Sequence, residues 1–325
     1  MRAFQISRYG AAPGYRDLPE PQPAAGEVRI RIAACGLNFA DLLMIEGRYQ
    51  HRPEPPVTLG MELSGVVAAS GRGVATPSPG TRVLVYAGRG GLAEAGCFPA
   101  ARCVPVPDAM SMAEAAGFAV AYGTSHLALE HRARLRPGET LVVFGAAGGV
   151  GLTAVEIGRA MGARVIAVAR GADRLAVARA AGADHLIDST GDDLVTALRD
   201  LGRADVVYDP VGVDAFRAAL RAVNPGARLV IIGFASGDVP QIPANILMVK
   251  NVDVIGLNWG GYLDFAPEVL DGSLRTLLGW YADGRLRPNI GHVLPFDRAA
   301  EGLALLRDRK ATGKVVVTMP AGGQS

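Results

Sequence analysis

The residues best placed for chemistry lie in Gly145-Ala146-Ala147-Gly148-Gly149-Val150-Gly151. The preceding apolar run, Leu141-Val142-Val143-Phe144, reads as a buried strand. The following Leu152–Ile157 opens a helical pattern, with Val150, Ala154, Ile157 and Met161 on one face. Strand, glycine turn and helix in that order begin a dinucleotide-binding βαβ unit. The glycines allow a tight turn and a close backbone approach to a pyrophosphate, and the free N–H groups at the helix start hold the anion. Ala147, Gly148, Gly149 and Val150 are the expected contacts. In G-x-G-x-x-G register the first position is Ala146, while Gly148 and Gly151 fill the other two. A strand-to-helix turn that binds nothing uses glycine as well.

A second strand is expected over Arg164–Ala169. An acidic residue at its tip, about 20 positions past the glycines, would accept from a ribose 2′-hydroxyl and favour NAD. Here the strand runs into Arg170-Gly171-Ala172-Asp173-Arg174. Two guanidiniums suit a 2′-phosphate, because the planar fork matches phosphate oxygens. Arg170 and Arg174 therefore point to NADP(H). Two features weigh against this: the chain has 30 Arg and 3 Lys, so a single Arg carries little information, and Asp173 could fold back towards the ribose.

The elements that must carry these residues follow from the pattern around them. From about residue 121, six expected strands (Leu141–Phe144, Arg164–Ala169, His185–Ile187, Asp205–Asp209, Arg228–Gly233 and Val252–Leu257) alternate with helices at Val150–Met161, Arg174–Ala181, Asp192–Leu201, Ala215–Val223 and Asn245–Lys250. This is the pattern of an α/β protein with a doubly wound parallel sheet. Residues 1 to about 120 read as β-rich, with strands at Ala3–Ser7, Glu27–Cys35, Leu63–Ser70 and Thr81–Tyr86 and helices at Asn38–Glu46 and Met112–Phe118. After Trp259 the alternation stops. Phe265–Ala282 and Ala299–Leu306 read as helices and Lys314–Thr318 as a strand, a segment too small to stand alone and expected to pack on the first 120 residues. The division is thus 1–121 with 259–325, around an inserted 122–258. The tail Ala321–Ser325 is expected to fray.

Composition narrows the class. Half of the 325 residues are hydrophobic and the net charge is +2, with both signs mixed throughout, so neither nucleic acid nor a membrane surface is an expected partner. No apolar run reaches the length of a membrane span, and Met1–Ile6 starts a strand without a signal-peptide core. Cys35, Cys97 and Cys103 are too few and too scattered for a disulfide framework, so a reduced, cytoplasmic protein is expected.

A set of segments carries a specific likeness: Ala33-Ala34-Cys35-Gly36-Leu37-Asn38-Phe39-Ala40-Asp41, Glu46-Gly47-Arg48-Tyr49, Leu59-Gly60-Met61-Glu62-Leu63-Ser64-Gly65, Pro137-Gly138-Glu139, the glycine turn, Ala181-Gly182-Ala183-Asp184, Tyr208-Asp209-Pro210-Val211-Gly212 and Ala311-Thr312-Gly313-Lys314. Together these resemble the medium-chain dehydrogenase/reductase superfamily over nearly the whole length, within it the zinc-free quinone oxidoreductase (zeta-crystallin-like) branch. The resemblance implies a GroES-like β-rich catalytic domain at 1–121 and 259–325 and a Rossmann NADP-binding domain at 122–258. Zinc alcohol dehydrogenases of the superfamily have a cysteine where this chain has Asn38 and a histidine where it has Met61; neither substitute replaces a thiolate or imidazole on zinc, so no metal is expected. Without a Lewis acid to stabilise an alkoxide, the expected substrates take hydride unaided: quinones and α,β-unsaturated carbonyls.

The same likeness assigns roles to single residues. Asn38 would hydrogen-bond near the nicotinamide ribose or a substrate carbonyl; an Asn there also suits a helix N-cap. Tyr49 is the expected proton donor, or else an aromatic lid on a flat substrate. Asp41 and Glu62 read as structural, Glu62 paired with an Arg. Thr124, Phe234, Leu257 and Asn258 would lie on the nicotinamide side, Trp259 and Tyr262 beside the substrate, and Lys314 would reach the cofactor or stay on the surface. Ser189 stands where some quinone reductases carry a tyrosine near the adenosine phosphate, which leaves Arg170 and Arg174 to that task. The expected activity is NADPH-dependent reduction of a small-molecule quinone or conjugated carbonyl, in a homodimer formed through the Rossmann edge strand Val252–Leu257. The alternatives are an enoyl-thioester (acrylyl-CoA type) reductase, with Arg48, Arg52 and Arg89 for CoA phosphates, and a non-catalytic NADPH- or RNA-binding protein.

Overall fold

The computed structural model describes residues 1–191 and 193–320, which fall into two compact units: Met1–Val120 with Pro288–Ser325, and Ala121–Arg287. The first unit opens with β1 (Arg2–Ile6), β2 (Gly14–Asp17), β3 (Glu27–Leu37), α1 (Phe39–Ile45), β4 (Val57–Thr58), β5 (Glu62–Ser70), β6 (Arg82–Tyr86), β7 (Ala95–Pro99), β8 (Cys103–Pro105) and α2 (Met112–Ala116). Helix α3 (Ala119–His126) follows and passes into a π-helical turn, Leu127–Arg132. Then come β9 (Thr140–Phe144), α4 (Gly149–Ala160), β10 (Arg164–Ala169), α5 (Ala172–Ala180), β11 (His185–Asp188), α6 (Leu194–Asp200), β12 (Ala204–Asp209), α7 (Val213–Arg221), β13 (Val223–Ile231), α8 (Ala244–Lys250), β14 (Asp253–Gly256), α9 (Tyr262–Phe265) and α10 (Pro267–Ala282). The chain ends in β15 (Ile290–Pro295), α11 (Ala299–Arg307) and β16 (Lys314–Thr318).

In the first unit, β3, β5 and β6 form an antiparallel core extended to the order β15-β16-β3-β5-β6-β8, with β7 also pairing on β3. Strand β3 alternates as its sequence demands: Val28, Ile30 and Ile32 are buried, whereas Arg29 and Arg31 face away. A smaller antiparallel sheet, β2-β1-β4, adds Phe4 and Ile6 to the same hydrophobic core. Strand β16 reaches the middle of the large sheet from the far end of the sequence, pairing antiparallel with β3 (Val315 opposite Leu37) and parallel with β15.

The second unit carries the six-stranded parallel sheet expected from the alternation, in the order β11-β10-β9-β12-β13-β14. The order reverses between β9 and β12, which places the ligand crevice of such a sheet beyond the carboxyl ends of these two strands. Its central strands are buried on both faces, as the unbroken apolar runs require.

The structure differs from expectation in several places: β2, β4, β7 and β8 are additional strands, and β13 begins already at Val223, where the end of a helix was expected. Residues 259–287 belong to the second unit, not to the first: Ser273 bonds His126 at 2.9 Å, Arg285 donates to Ala160 O at 2.8 Å and the Arg287 N–H donates to Glu156. An amphipathic helix such as α10 shows which face is apolar but not which body covers it. Strand β15 was not foreseen, because Gly291 and His292 break its apolar run. Helix α6 starts at Leu194 with Asp193 capping Val195 N–H; Asp192 and the tail Ala321–Ser325 lie outside the described residues. Among the described residues no helix is long and apolar enough to cross a membrane.

Candidate functional site

The glycine turn of the second unit joins β9 to α4 through a close backbone approach. Gly145 follows β9 directly with φ +57°, and Gly148 is the N-cap of α4. A side chain at Gly151 would overlap the carbonyl of Gly145, so only glycine lets the helix start this close to the strand. Ala146, standing where the motif has its first glycine, is buried, keeps an ordinary backbone conformation and donates its N–H to Val168 O at 3.1 Å. Nothing at that position demands a glycine. The first N–H groups of α4, a twelve-residue helix, face the carboxyl edge of the sheet together with Ala147, Gly148, Gly149 and Val150.

Other expected residues gather along that edge. Arg170 is exposed just past β10, and Arg174 is partly buried one turn into α5. Burial lowers the pKa of Arg174, and the neighbouring positive charge of Arg170 lowers it further, which shows that the two guanidiniums share one neighbourhood. Gly171 N–H donates to Asp188 at the end of β11 (3.1 Å), fixing the loop between the two arginines. Bonds from Thr190 and Gly171 hold Asp188 below the usual carboxylate range. Asp173 is exposed in the first turn of α5. Ser189 donates to Ala169 O at 3.4 Å. Phe234 follows β13 and lies beside Gly212; Leu257 follows β14 and donates its N–H to Ile231 O; Asn258 is exposed next to it. Thr124 is buried on α3. Trp259 and Tyr262 are buried within this unit, Trp259 against Gly123 and Tyr262 against His131 and Phe265.

Asp209 was not singled out beforehand. It ends β12 at the switch point with 0 % exposure; one carboxylate oxygen accepts from Val211 N–H (2.8 Å) and Gly212 N–H (2.9 Å). The other oxygen has no hydrogen-bond partner among the described residues, and burial pushes the pKa up. The signal was an Asp at a strand end with a glycine three residues on, the mark of an Asx-type turn.

In the first unit the functional candidates meet around Glu62. This carboxylate, 1 % exposed on β5, accepts from Lys314 Nζ at 2.7 Å, Asn38 Nδ2 at 3.0 Å and Val120 N–H at 2.8 Å. Its cation is Lys314, not the expected Arg. Lys314 is not on the surface either: it is 5 % exposed, and its ammonium also donates to Leu37 O (3.0 Å) and Asn38 Oδ1 (2.8 Å). All three N–H groups are thereby engaged within the unit. A lone acid in the apolar run Met61-Glu62-Leu63 was the available signal, since a buried charge needs a partner. Asn38 has the extended backbone of an N-cap residue, but its amide is drawn to Glu62, Lys314 and Gly36 O (3.4 Å).

Asp41 closes the group from below. One oxygen accepts from Asn38 N–H (2.8 Å), the other from Gly60 N–H (3.1 Å), and burial lifts its pKa to about 6. Tyr49 packs partly buried against the core of the same unit, and burial together with the charge of Asp41 raises its pKa. The phenol is therefore protonated at neutral pH.

These donors do not fit a zinc ion. The position of Asn38 offers an amide already tied to an ammonium, Met61 is a buried thioether, and among the described residues no group of three or more His, Cys, Asp and Glu could hold a metal. The glycine turn, the start of α4 and the arginine pair do fit a phosphorylated dinucleotide.

Known proteins agree with this geometry. Residues 24–108 match the alcohol dehydrogenase GroES-like domain and residues 149–274 the zinc-binding dehydrogenase family. The chain is 38 % identical over 297 residues to the quinone oxidoreductase-like protein 2 homolog of Nematostella vectensis, covering 90 % of this chain and 81 % of that one. The quinone oxidoreductase of Thermus thermophilus, solved also with NADPH, superposes with a TM-score of 0.86 at 36 % identity, over 98 % of this chain and 100 % of that one. The CurK enoyl reductase superposes with a TM-score of 0.88 at 26 % identity, over 98 % and 99 %. Nearly its whole length matches quinone oxidoreductases and quinone oxidoreductase-like proteins: the chain belongs to the quinone oxidoreductase-like branch of the medium-chain dehydrogenase/reductase superfamily.

Proposed function

We propose that this protein is an NADPH-dependent reductase that transfers hydride, without a metal, to quinones or α,β-unsaturated carbonyls. The observation that carries the reading is the glycine turn at the start of α4 together with the Arg170–Arg174 pair past β10. The turn and the helix N-terminus take the pyrophosphate, and the paired guanidiniums take the 2′-phosphate. The NADPH complex of the Thermus thermophilus relative supports the same choice. Thr124, Phe234, Leu257 and Asn258 serve the nicotinamide end.

When bound, the reduced cofactor supplies the hydride. The chain's own residues orient the acceptor, exclude water and deliver a proton. Tyr49 holds that proton: hydride addition to a conjugated carbonyl leaves an enolate, whose basicity a phenol matches. Asn38 acts as a hydrogen-bonding contact. Unit Met1–Val120 with Pro288–Ser325 is the substrate domain and Ala121–Arg287 the NADP-binding domain. A second copy docks on the sheet edge formed by β14, beside α8.

The test compares oxidation of NADPH and NADH with 1,4-benzoquinone, an enone and crotonyl-CoA as acceptors, after metal chelation. NADPH preference with quinone or enone turnover supports the reading. Arg170→Ala/Arg174→Ala is expected to raise KM for NADPH at least tenfold and leave NADH nearly unchanged. NADH preference would overturn the cofactor assignment. The likeness to CurK favours an enoyl-thioester reductase as the second reading. Arg52 and Arg89 are exposed on the first unit for a CoA phosphate, whereas Arg48 pairs with Glu46 at 3.1 Å. Preference for crotonyl-CoA would select it, and tight NADPH binding without turnover would indicate a binding protein.

A further inference from the structure

The amide of Asn38 has a forced orientation. An ammonium can only donate and a carboxylate can only accept, so Oδ1 must face Lys314 (2.8 Å) and Nδ2 must face Glu62 (3.0 Å). The second N–H of Nδ2 points at Gly36 O, at 3.4 Å. Both donors of the amide are engaged inside the unit, and its remaining capacity is that of an acceptor.

The framework behind it is equally fixed. The Asn38 N–H is tied to Asp41. The Lys314 N–H donates to Asn289 O at 3.0 Å, and the preceding Gly313 has φ +67°, with Asn289 filling the space a side chain would need. The Glu62 carboxylate is anchored by Val120 N–H. An amide held this way cannot rotate to offer an N–H to a substrate.

We infer that Lys314 is a positioning residue: through its ion pair with Glu62 it locks Asn38 as a hydrogen-bond acceptor. Asn38 then presents an acceptor, and no N–H, to a ligand hydroxyl or N–H, and cannot polarise a quinone or enone carbonyl. This rests on the proposed NADPH-dependent reaction, and it decides between the two roles open to Asn38 on the sequence. Polarisation of the carbonyl falls to another donor, for which Tyr49 is available in the same unit.

The test separates positioning from simple charge balance. Lys314→Met alone leaves Glu62 buried without its cation and is expected to lower the melting temperature. Glu62→Gln/Lys314→Met removes both charges and keeps an acceptor for Val120 N–H. Its new amide N–H would face Asn38 and turn the Asn38 amide over. Dissociation constants for NADPH and for 2′,5′-ADP, which lacks the nicotinamide half, are measured by fluorescence for the wild type and the double variant. The expected result is a melting temperature restored towards wild type, NADPH affinity lowered about tenfold and 2′,5′-ADP affinity unchanged. Unchanged NADPH affinity in a folded double variant would overturn the inference, leaving Lys314 to balance Glu62 only. A wild type that binds neither ligand would overturn the proposed function itself. A second measurement needs no charge variant to fold: in wild-type protein labelled with ¹⁵N-asparagine, both Nδ2 protons of Asn38, assigned by their loss in Asn38→Leu, are expected to exchange slowly and to stay protected when NADPH is added. Fast exchange of either would refute the lock.

Discussion

Asp41 is a carboxylate enclosed by protein, 1 % exposed, with two backbone N–H groups as its compensation. Its folded pKa of about 6 lies above that of an unfolded Asp, so the folded state binds the proton more tightly. Stability contributed by this group is present at low pH and is lost as pH rises through 6. The unfolding free energy of the wild type minus that of Asp41→Asn should therefore fall by about 2 kcal/mol between pH 4 and pH 6.5. Denaturant melts across that range check it; a flat or rising difference would refute the assignment. Tyr49→Phe keeps the packing and removes the proton, so kcat with an enone should drop by about 10²-fold or more with KM little changed. An equal loss in KM and none in kcat would make the ring a lid only. At this scale the sequence was legible where chemistry is local. The arginines past β10 can be singled out because they sit a fixed distance from the glycines. The burial of Lys314 is not legible, because its partner lies 252 positions away and no local pattern says whether a lysine at a strand start is covered.

At the scale of elements, the strand–turn–helix of β9 and α4 depends on a close backbone approach at Gly151. Gly151→Ala must push α4 away from Gly145, since a Cβ there meets a backbone carbonyl and not a yielding side chain. The helix N-terminus would move off the pyrophosphate position. NADPH affinity should fall at least tenfold and the melting temperature by several degrees; calorimetry and fluorescence titration measure the two. Retention of both would mean that the turn is not the phosphate site. The periodicity of this stretch displayed the element directly, and the departure at Ala146 proved harmless because that residue needs no left-handed backbone. Helix α10 shows the reverse. Leu270, Leu274, Leu277 and Leu278 mark a buried face in sequence, while its body is decided by the distant contacts of Ser273, Arg285 and Arg287.

At the scale of the whole molecule, β14 ends the parallel sheet with one side unpaired among the described residues, and α8 beside it buries none of its residues. Val239, Met248 and Val249 are 62 %, 73 % and 73 % exposed, an apolar group next to free strand groups. A homodimer through this edge is expected in light scattering at micromolar concentration, and Met248→Glu/Val249→Glu should shift it to monomer with the fold retained. A wild-type monomer would remove the edge pairing from the picture. The first unit has a further consequence in time. Its sheet is closed by β16, made after the whole second unit has emerged. At the ordinary pace of synthesis, the roughly 170 residues between the two parts take about 10–30 s to be added. For that interval Glu62 lacks its cation and β3 lacks a neighbour, an open edge that invites capture by other chains. The growing polypeptide thus carries a complete second unit between the two halves of an incomplete first one, until β16 supplies what the early strands lack.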